Sequence, residues 1–264
     1  MKRKRIQATT EQTEKNAARN AIVLVAVVIL VAGYAMAFGL QTLIWIETHH
    51  WASANPWIKQ APQALNSAPT PAGSAQLKAF DFEFKVPWPG KYKTAAADVM
   101  STEFRFDSGQ VVVFFDPQAQ ADMLRTLTSA SNQLAYQQFQ NVFVGQSFSS
   151  NYDLYRAIYS ASPADVSPWM SMRDAIRENQ LLLWKMSFGL DAPPPLHSIE
   201  FGSNRGFQFG DPSSGRPVAL RIFDGRDVQF RFIFLAAAGS STQIAQGDVD
   251  SAVQSLQPVP IVER

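Results

Sequence analysis

Residues 21–40 read AIVLVAVVILVAGYAMAFGL, twenty positions without a single charge. A helix rises 1.5 Å per residue, so this run covers about 30 Å, the thickness of a bilayer's hydrocarbon core. Buried helices of globular proteins are rarely apolar on every face for this length. The run therefore predicts a transmembrane helix. Gln41 and Thr42 interrupt it, and Leu43, Ile44, Trp45 and Ile46 extend it to Glu47, giving a span over 21–46 with the lipid bilayer as its partner. Lys2, Arg3, Lys4, Arg5, Lys15 and Arg19 precede the span, whereas the next basic residue is Lys59. Basic flanks stay in the cytoplasm, so the expectation is a cytoplasmic tail over 1–20 and an extracytoplasmic remainder, periplasmic in a bacterium with two membranes. Tyr34, Trp45, Trp51 and Trp57 lie toward the outer end, where amphipathic rings favour the interface.

Ala35-Met36-Ala37 and Ala52-Ser53-Ala54 have the small-x-small form of a signal-peptidase site. The apolar run is much longer than a cleaved signal's, so it reads as an uncleaved signal anchor. Gly33 and Ala37, with Ala35 and Gly39, are small residues four apart. Such spacing lets a second copy of the helix approach closely, so a homodimer through Gly33, Ala37 and Gly39 is one reading. The other is the ordinary abundance of small residues in membrane spans.

The net charge of +1 conceals an asymmetry: residues 1–76 sum to +4 and residues 77–264 to −3. A mildly acidic folded part without a basic stripe argues against nucleic acid as a partner. The chain has no cysteine, which removes disulfides, thiol nucleophiles and cysteine-based metal sites, and no cofactor motif is present.

Residues 47–76 are rich in Ala, Pro, Ser and Gln and show no helical or strand period, so they read as a semi-extended linker. The outer domain, over 77–264, reads as α+β: an antiparallel sheet of about six or seven strands with helices packed on one face. Phe80, Phe82, Phe84 and Val86 alternate with charged residues, as in one half-buried strand. Thr102–Phe106 and Gln110–Phe115 flank Asp107-Ser108-Gly109, a hairpin turn; Val111 to Phe115 is apolar throughout, as in a strand covered on both faces. Asp116-Pro117 predicts a helix start, with an apolar stripe running to Ala135. Further helices are expected from about Asn151, over Asp165–Phe188 and over Asp248–Leu256. Strands are expected over His197–Phe201, Phe207–Phe209, Pro217–Phe223 and Val228–Leu235.

Side-chain alternation fixes more. If Val218, Leu220 and Ile222 share one core with Val228, Phe230, Phe232 and Phe234, paired positions must sum to an even number. The connecting loop then holds three or five residues, not the two that Asp224-Gly225 suggests, with Leu220 near Phe230 and Arg221 near Gln229. The same parity is expected of Ile199 and Phe201 against Phe207 and Phe209.

Candidate chemistry is sparse. His49 and His50 stand beside the span and His197 opens a strand; none is spaced as a metal ligand. Gly145-Gln146-Ser147-Phe148-Ser149 lacks the last glycine of a nucleophile elbow. Gly202-Ser203-Asn204-Arg205-Gly206 lies between strands, so it reads as a hairpin loop, not a phosphate cradle. Arg205, Arg221 and Arg231 are candidate contacts for an anion or partner, guanidinium being a good carboxylate and phosphate anchor. Against this, Asp211, Asp224 and Asp227 are close enough to pair with arginines on a solvated sheet face. Trp169, Met170 and Met172 read as core.

Ser150-Asn151-Tyr152-Asp153-Leu154-Tyr155, Pro168-Trp169-Met170-Ser171 and Arg205-Gly206-Phe207-Gln208-Phe209-Gly210-Asp211-Pro212 resemble segments of uncharacterised single-pass membrane-anchored bacterial proteins. That resemblance implies no activity. The layout from Phe230 to Leu256 is similar to the end of the α/β/α sandwich of the photosystem II extrinsic protein P family, an architectural likeness that carries no functional residue. The sequence as a whole points to a membrane-anchored extracytoplasmic binding or scaffolding module. The alternative is a cell-envelope hydrolase whose site is assembled from dispersed Asp, Glu, Ser and Arg.

Overall fold

A computed structural model describes residues 2–66, 75–98, 100–120, 122–129, 133–143, 148–189, 195–237, 239–240 and 242–259, and in the first helix the side chains from Val23 onward. Helix α1 is continuous over Lys2–Ala54 and is long and apolar enough to cross a membrane, with no residue of its most apolar window buried. Its far end behaves differently. Gln41, Thr48 and Ala52, spaced by seven and four, are buried on one face against the folded domain, and Ile44, Trp45 and Trp51 pack beside them.

Residues 47–66, expected as the start of a linker, are thus folded: the end of α1, a 3-10 turn over Pro56–Lys59 with Ile58 buried, and strand β1, Gln63–Ala64. The physical reason is packing: from Gln41 onward one face of the helix is covered by protein, and small residues at Thr48 and Ala52 let the domain approach closely. Thr48 Oγ1 donates to Asn179 Oδ1 at 3.1 Å, locking the two together.

The remaining elements are β2 (Ala75–Ala79), β3 (Phe82–Val86), β4 (Tyr92–Asp98), β5 (Ser101–Phe106), β6 (Gln110–Phe115), α2 (Met123–Thr128), α3 (Gln133–Phe143), α4 (Asn151–Ser160), α5 (Met172–Gly189), β7 (Leu196–Phe201), β8 (Asn204–Phe209), β9 (Val218–Phe223), β10 (Gln229–Ala236), α6 (Gln246–Ser255) and β11 (Gln257–Pro258). The architecture is α+β. A sheet of eight strands runs in the order β1-β7-β8-β9-β10-β6-β5-β4, antiparallel except for the short β1–β7 pair. A second sheet, β11-β3-β2, has three strands.

The large sheet is covered on both faces. One face packs Leu220, Ile222, Phe230, Phe232, Val112 and Phe114 against Phe84 and Val86 of the small sheet and Val249 and Val253 of α6. The other packs Phe207, Phe209 and Phe223 against Tyr152, Tyr155 and Tyr159 of α4 and, beyond them, Leu182 of α5. The helices were expected on one face only; α6 and the small sheet make up the second cover. Phe84 alone meets Phe104, Phe114 and Phe232 at centroid distances of 5.9, 5.3 and 5.2 Å, ring packing that fills the layer between the sheets.

Double cover explains which register expectations hold. In β9–β10, Phe223 pairs with Gln229 and Leu220 with Phe232, even sums around a five-residue loop. Parity and loop length are as expected, but Leu220 lies opposite Phe232 and Arg221 opposite Arg231, two residues further along than anticipated. In β7–β8 the parity fails. Ile199 pairs with Gly206 and Phe201 with Asn204 around the two-residue turn Gly202-Ser203, all odd sums without a bulge. Ile199 faces the small-sheet core while Phe207 and Phe209 face the helices, so the premise of one shared core does not apply to this pair.

Local surprises have local causes. The single strand expected over Phe80–Val86 is a hairpin whose turn residues, Phe80 and Asp81, both adopt positive φ (53° and 63°). Two-residue hairpin turns favour this geometry, but usually with Asn or Gly. The helix expected at Asp116-Pro117 begins at Met123: Asp116 instead caps a turn by accepting Gln118 N–H, and Asp122 caps α2 by accepting Arg125 N–H. Helix α4 begins at Asn151, as expected, with Ser150 as its cap.

Candidate functional site

Three features of the helix-covered face carry unusual chemistry. The first is the arginine row. Arg221 and Arg231 lie opposite each other on β9 and β10, and Arg205 sits on β8 opposite Phe223. Like charges directly opposite on neighbouring strands repel, so each needs its own compensation. Each guanidinium lies over aromatic rings: Arg205 at 4.0 Å from the Tyr152 centroid, Arg221 at 4.3 Å from Tyr155 and 5.3 Å from Phe188, Arg231 at 4.8 Å from Phe115. Cation–π contact strengthens as water is removed, and all three arginines are half-buried here. Arg221 Nη1 also donates to Tyr159 Oη at 2.5 Å, while its Nε is buried without a partner. Burial raises the Tyr155 phenol and raises that of Tyr159 far above its ordinary range, so both stay neutral beside the cation.

The face is thus half-buried under aromatic rings, and the ion pairing the sequence suggested is seen at Asp224 with Arg226. Asp211, Asp224 and Asp227 each have other partners nearby. Asp211 accepts Ser213 N–H, and the hydroxyl and backbone of Ser213 hold its carboxyl below the usual range. Asp224 pairs with the exposed Arg226.

The second feature is a cavity of about 610 Å³ at the β9–β10 loop, walled by the Asp116–Gln120 turn, α2 and the start of α4. Gln118, Arg125, Thr126, Asn151, Arg226 and Gln229 line it. Its two carboxylates are committed to backbone. Asp122 caps α2, and Asp227 accepts Asn151 N–H at 2.5 Å, Asn151 Nδ2 at 2.9 Å and Tyr152 N–H at 3.1 Å. An anionic side chain at a helix N-terminus satisfies orphan N–H groups and opposes the helix dipole. Gln229, 8% exposed, leaves its Oε1 without a partner at this site.

The third feature is Lys185 on α5, which has no exposed surface. Its ammonium donates to Gln60 O at 2.6 Å and Ala161 O at 2.7 Å, tying α5 to the end of α4 and to the chain leaving α1. Burial pushes this ammonium from 10.5 down to about 8.

The other sequence candidates are dispersed. His197 lies in β7 opposite Gln208 with Nδ1 buried and unpaired. His49 Nδ1 meets Trp45 O at 2.9 Å. Gly145, Gln146 and Ser147 lie outside the described residues, and Ser149 and Ser150 both donate to Asp153. The Ser149 hydroxyl, with that of Ser150, holds the Asp153 carboxyl below its ordinary range. Among the described residues no three His, Asp or Glu side chains gather as a metal site would need. Gly33 and Gly39 have no atom within 4 Å of where a Cβ would stand. Trp169, expected in the core, is 67% exposed.

The cavity and Lys185 were not singled out from sequence. A lysine inside the apolar run Leu181–Met186 was the available signal for the second; the cavity has none, since its walls come from four separated segments. Compared with known proteins, the sequence matches no protein-family model and no curated protein.

Proposed function

We propose that the protein is a membrane-anchored binding module of the cell envelope, with its N-terminus in the cytoplasm and its α+β domain displayed on the far side. The carrying observation is the continuity of α1, one unbroken helix from an apolar, exposed stretch into the helical layer of the domain. A domain clamped to its anchor by Thr48–Asn179 and Lys185 is held at a fixed height and orientation. Such rigidity favours a surface that meets a partner at a set distance from the bilayer. The polar cavity at the β9–β10 loop is the ligand-facing part of this reading. Its carboxylates are occupied, and it retains guanidinium and amide groups for a polar ligand. The orientation rests on the basic residues before the span and their absence for the next forty residues.

The test is site-specific photocrosslinking in intact cells. A photoreactive residue at Gln118, on the cavity rim, should give a discrete adduct that the same residue at exposed Ser213 does not give. Identical behaviour at the two sites, or no adduct at Gln118, contradicts a ligand at this cavity.

A further inference from the structure

Pro168-Trp169-Met170 joins the Pro163–Asp165 turn to α5, and its backbone is tightly folded: Met170 N–H donates to Ser167 O at 3.3 Å and Trp169 N–H to Ser167 Oγ at 3.3 Å. Ser171 caps α5 by accepting Asp174 N–H at 3.1 Å. The turn projects the Trp169 indole outward. Its ring centroid lies 5.3 Å from that of Tyr34 and 5.8 Å from that of Phe38, edge-on to both. Those two rings belong to the apolar run of α1, beside Met36 at 84% and Leu40 at 57% exposed. Packing against the domain already begins at Gln41, so the outer edge of a roughly 30 Å hydrocarbon layer falls at Leu40 and not at Ile46. At 1.5 Å per residue, Phe38 then stands roughly 3 Å and Tyr34 roughly 9 Å inside that edge. The indole is therefore level with the outer edge of the hydrocarbon layer. Trp is the residue that favours that depth, having an apolar body and one N–H for the headgroup region.

We propose that the Pro168–Met170 loop is a second lipid contact, with Trp169 seated in the outer interfacial layer of the bilayer beside α1. The occupant of its exposed face is lipid because that face is continuous with the face of α1 that lipid must cover. α5 runs alongside α1, with Asn179 bonded to Thr48, so the loop cannot leave the interface while α1 is inserted. The domain then stands on two points, which fixes its rotation about the helix axis as well as its height. This inference rests on α1 crossing a bilayer and is independent of any ligand at the cavity.

The cysteine-free chain allows single labels to be read cleanly. Nitroxide-labelled Trp169→Cys, Leu30→Cys and Ser213→Cys are reconstituted in phosphatidylcholine–phosphatidylglycerol vesicles, and collision with oxygen and with a water-soluble nickel chelate is measured. The expected result is oxygen accessibility at Trp169→Cys several-fold above, and nickel accessibility several-fold below, those at Ser213→Cys, with Leu30→Cys deeper still. Leu30→Cys reading as lipid while Trp169→Cys reads as water overturns the loop contact alone. Both reading as water overturns the span itself. Spin–spin broadening at Trp169→Cys that disappears on dilution with unlabelled protein would put a second copy, not lipid, on this face, and also overturns the proposal.

Discussion

Replacing Lys185 with methionine tests the clamp at the base of the domain and has a worked sign. In the fold the ammonium is held down to about 8, against 10.5 in its ordinary state, because burial disfavours the charged form. Between those values the unfolded chain binds the extra proton, so stability rises as pH increases through the window and falls as pH drops toward 8. At 1.36 kcal/mol per pH unit, the charged form carries a ceiling of about 3 kcal/mol of penalty below pH 8. Methionine removes that penalty but strands Gln60 O and Ala161 O, each a loss of roughly 1–3 kcal/mol when buried. Near neutral pH the two effects offset, and Lys185→Met should lie within about 2 kcal/mol of the parent. At about pH 9.5 the parent has shed much of its penalty and the variant has not changed, so the gap should move by about 2 kcal/mol in the parent's favour. Urea unfolding in detergent, followed by the fluorescence of neighbouring Trp184, measures this. Taking the difference between the two proteins cancels titrations they share. A difference that stays flat between pH 7 and 9.5 would refute the account of Lys185 as a buried, penalised ammonium.

Three other substitutions follow from local geometry. Asp227→Ala, which removes a carboxylate from three N–H donors at the start of α4, should cost about 2–4 kcal/mol in urea unfolding, and Asp227→Asn about half as much; equal and negligible losses would show the latch to be ornamental. Gly206→Ala should destabilise by more than about 2 kcal/mol, since a Cβ there would stand 2.1 Å from Arg221 O in the adjacent strand, and a thermal midpoint unchanged from the parent would contradict that close approach. Asp81→Gly should stabilise by about 0.5–1 kcal/mol, because glycine adopts the positive φ of this turn without strain, and a lower midpoint would contradict the turn geometry.

Much of this architecture was legible because it is local. The long apolar helix needed only the length of its uncharged run; the turn at Asp107-Ser108-Gly109 needed only a glycine, which takes φ 94°; the helix from Asn151 needed only its apolar stripe. What stayed hidden depends on distant packing. The end of α1 looked like a linker because Thr48 and Ala52 are too small to advertise a buried face, and only packing on the domain reveals it. The β7–β8 register reversed expectation because Ile199 and Phe207 serve different cores, and alternation alone does not say how many cores a sheet has. Arg221 and Arg231 were placed on their strands, whereas Arg205, read into a loop, lies in β8. Their aromatic covers come from α4, α5 and β6, and no spacing along β8–β10 could show them.

The central claim is that the chain crosses the membrane once, with its tail inside and its folded domain outside. Single cysteines at Thr13 and at exposed Ser213, in an otherwise cysteine-free chain, can be probed in intact cells with a membrane-impermeant maleimide. The account predicts that Ser213→Cys labels at once in intact cells whose envelope admits the reagent as far as the inner membrane, while Thr13→Cys labels only after that membrane is permeabilised. Labelling of Thr13→Cys without permeabilisation, or protection of Ser213→Cys until it, would contradict the account.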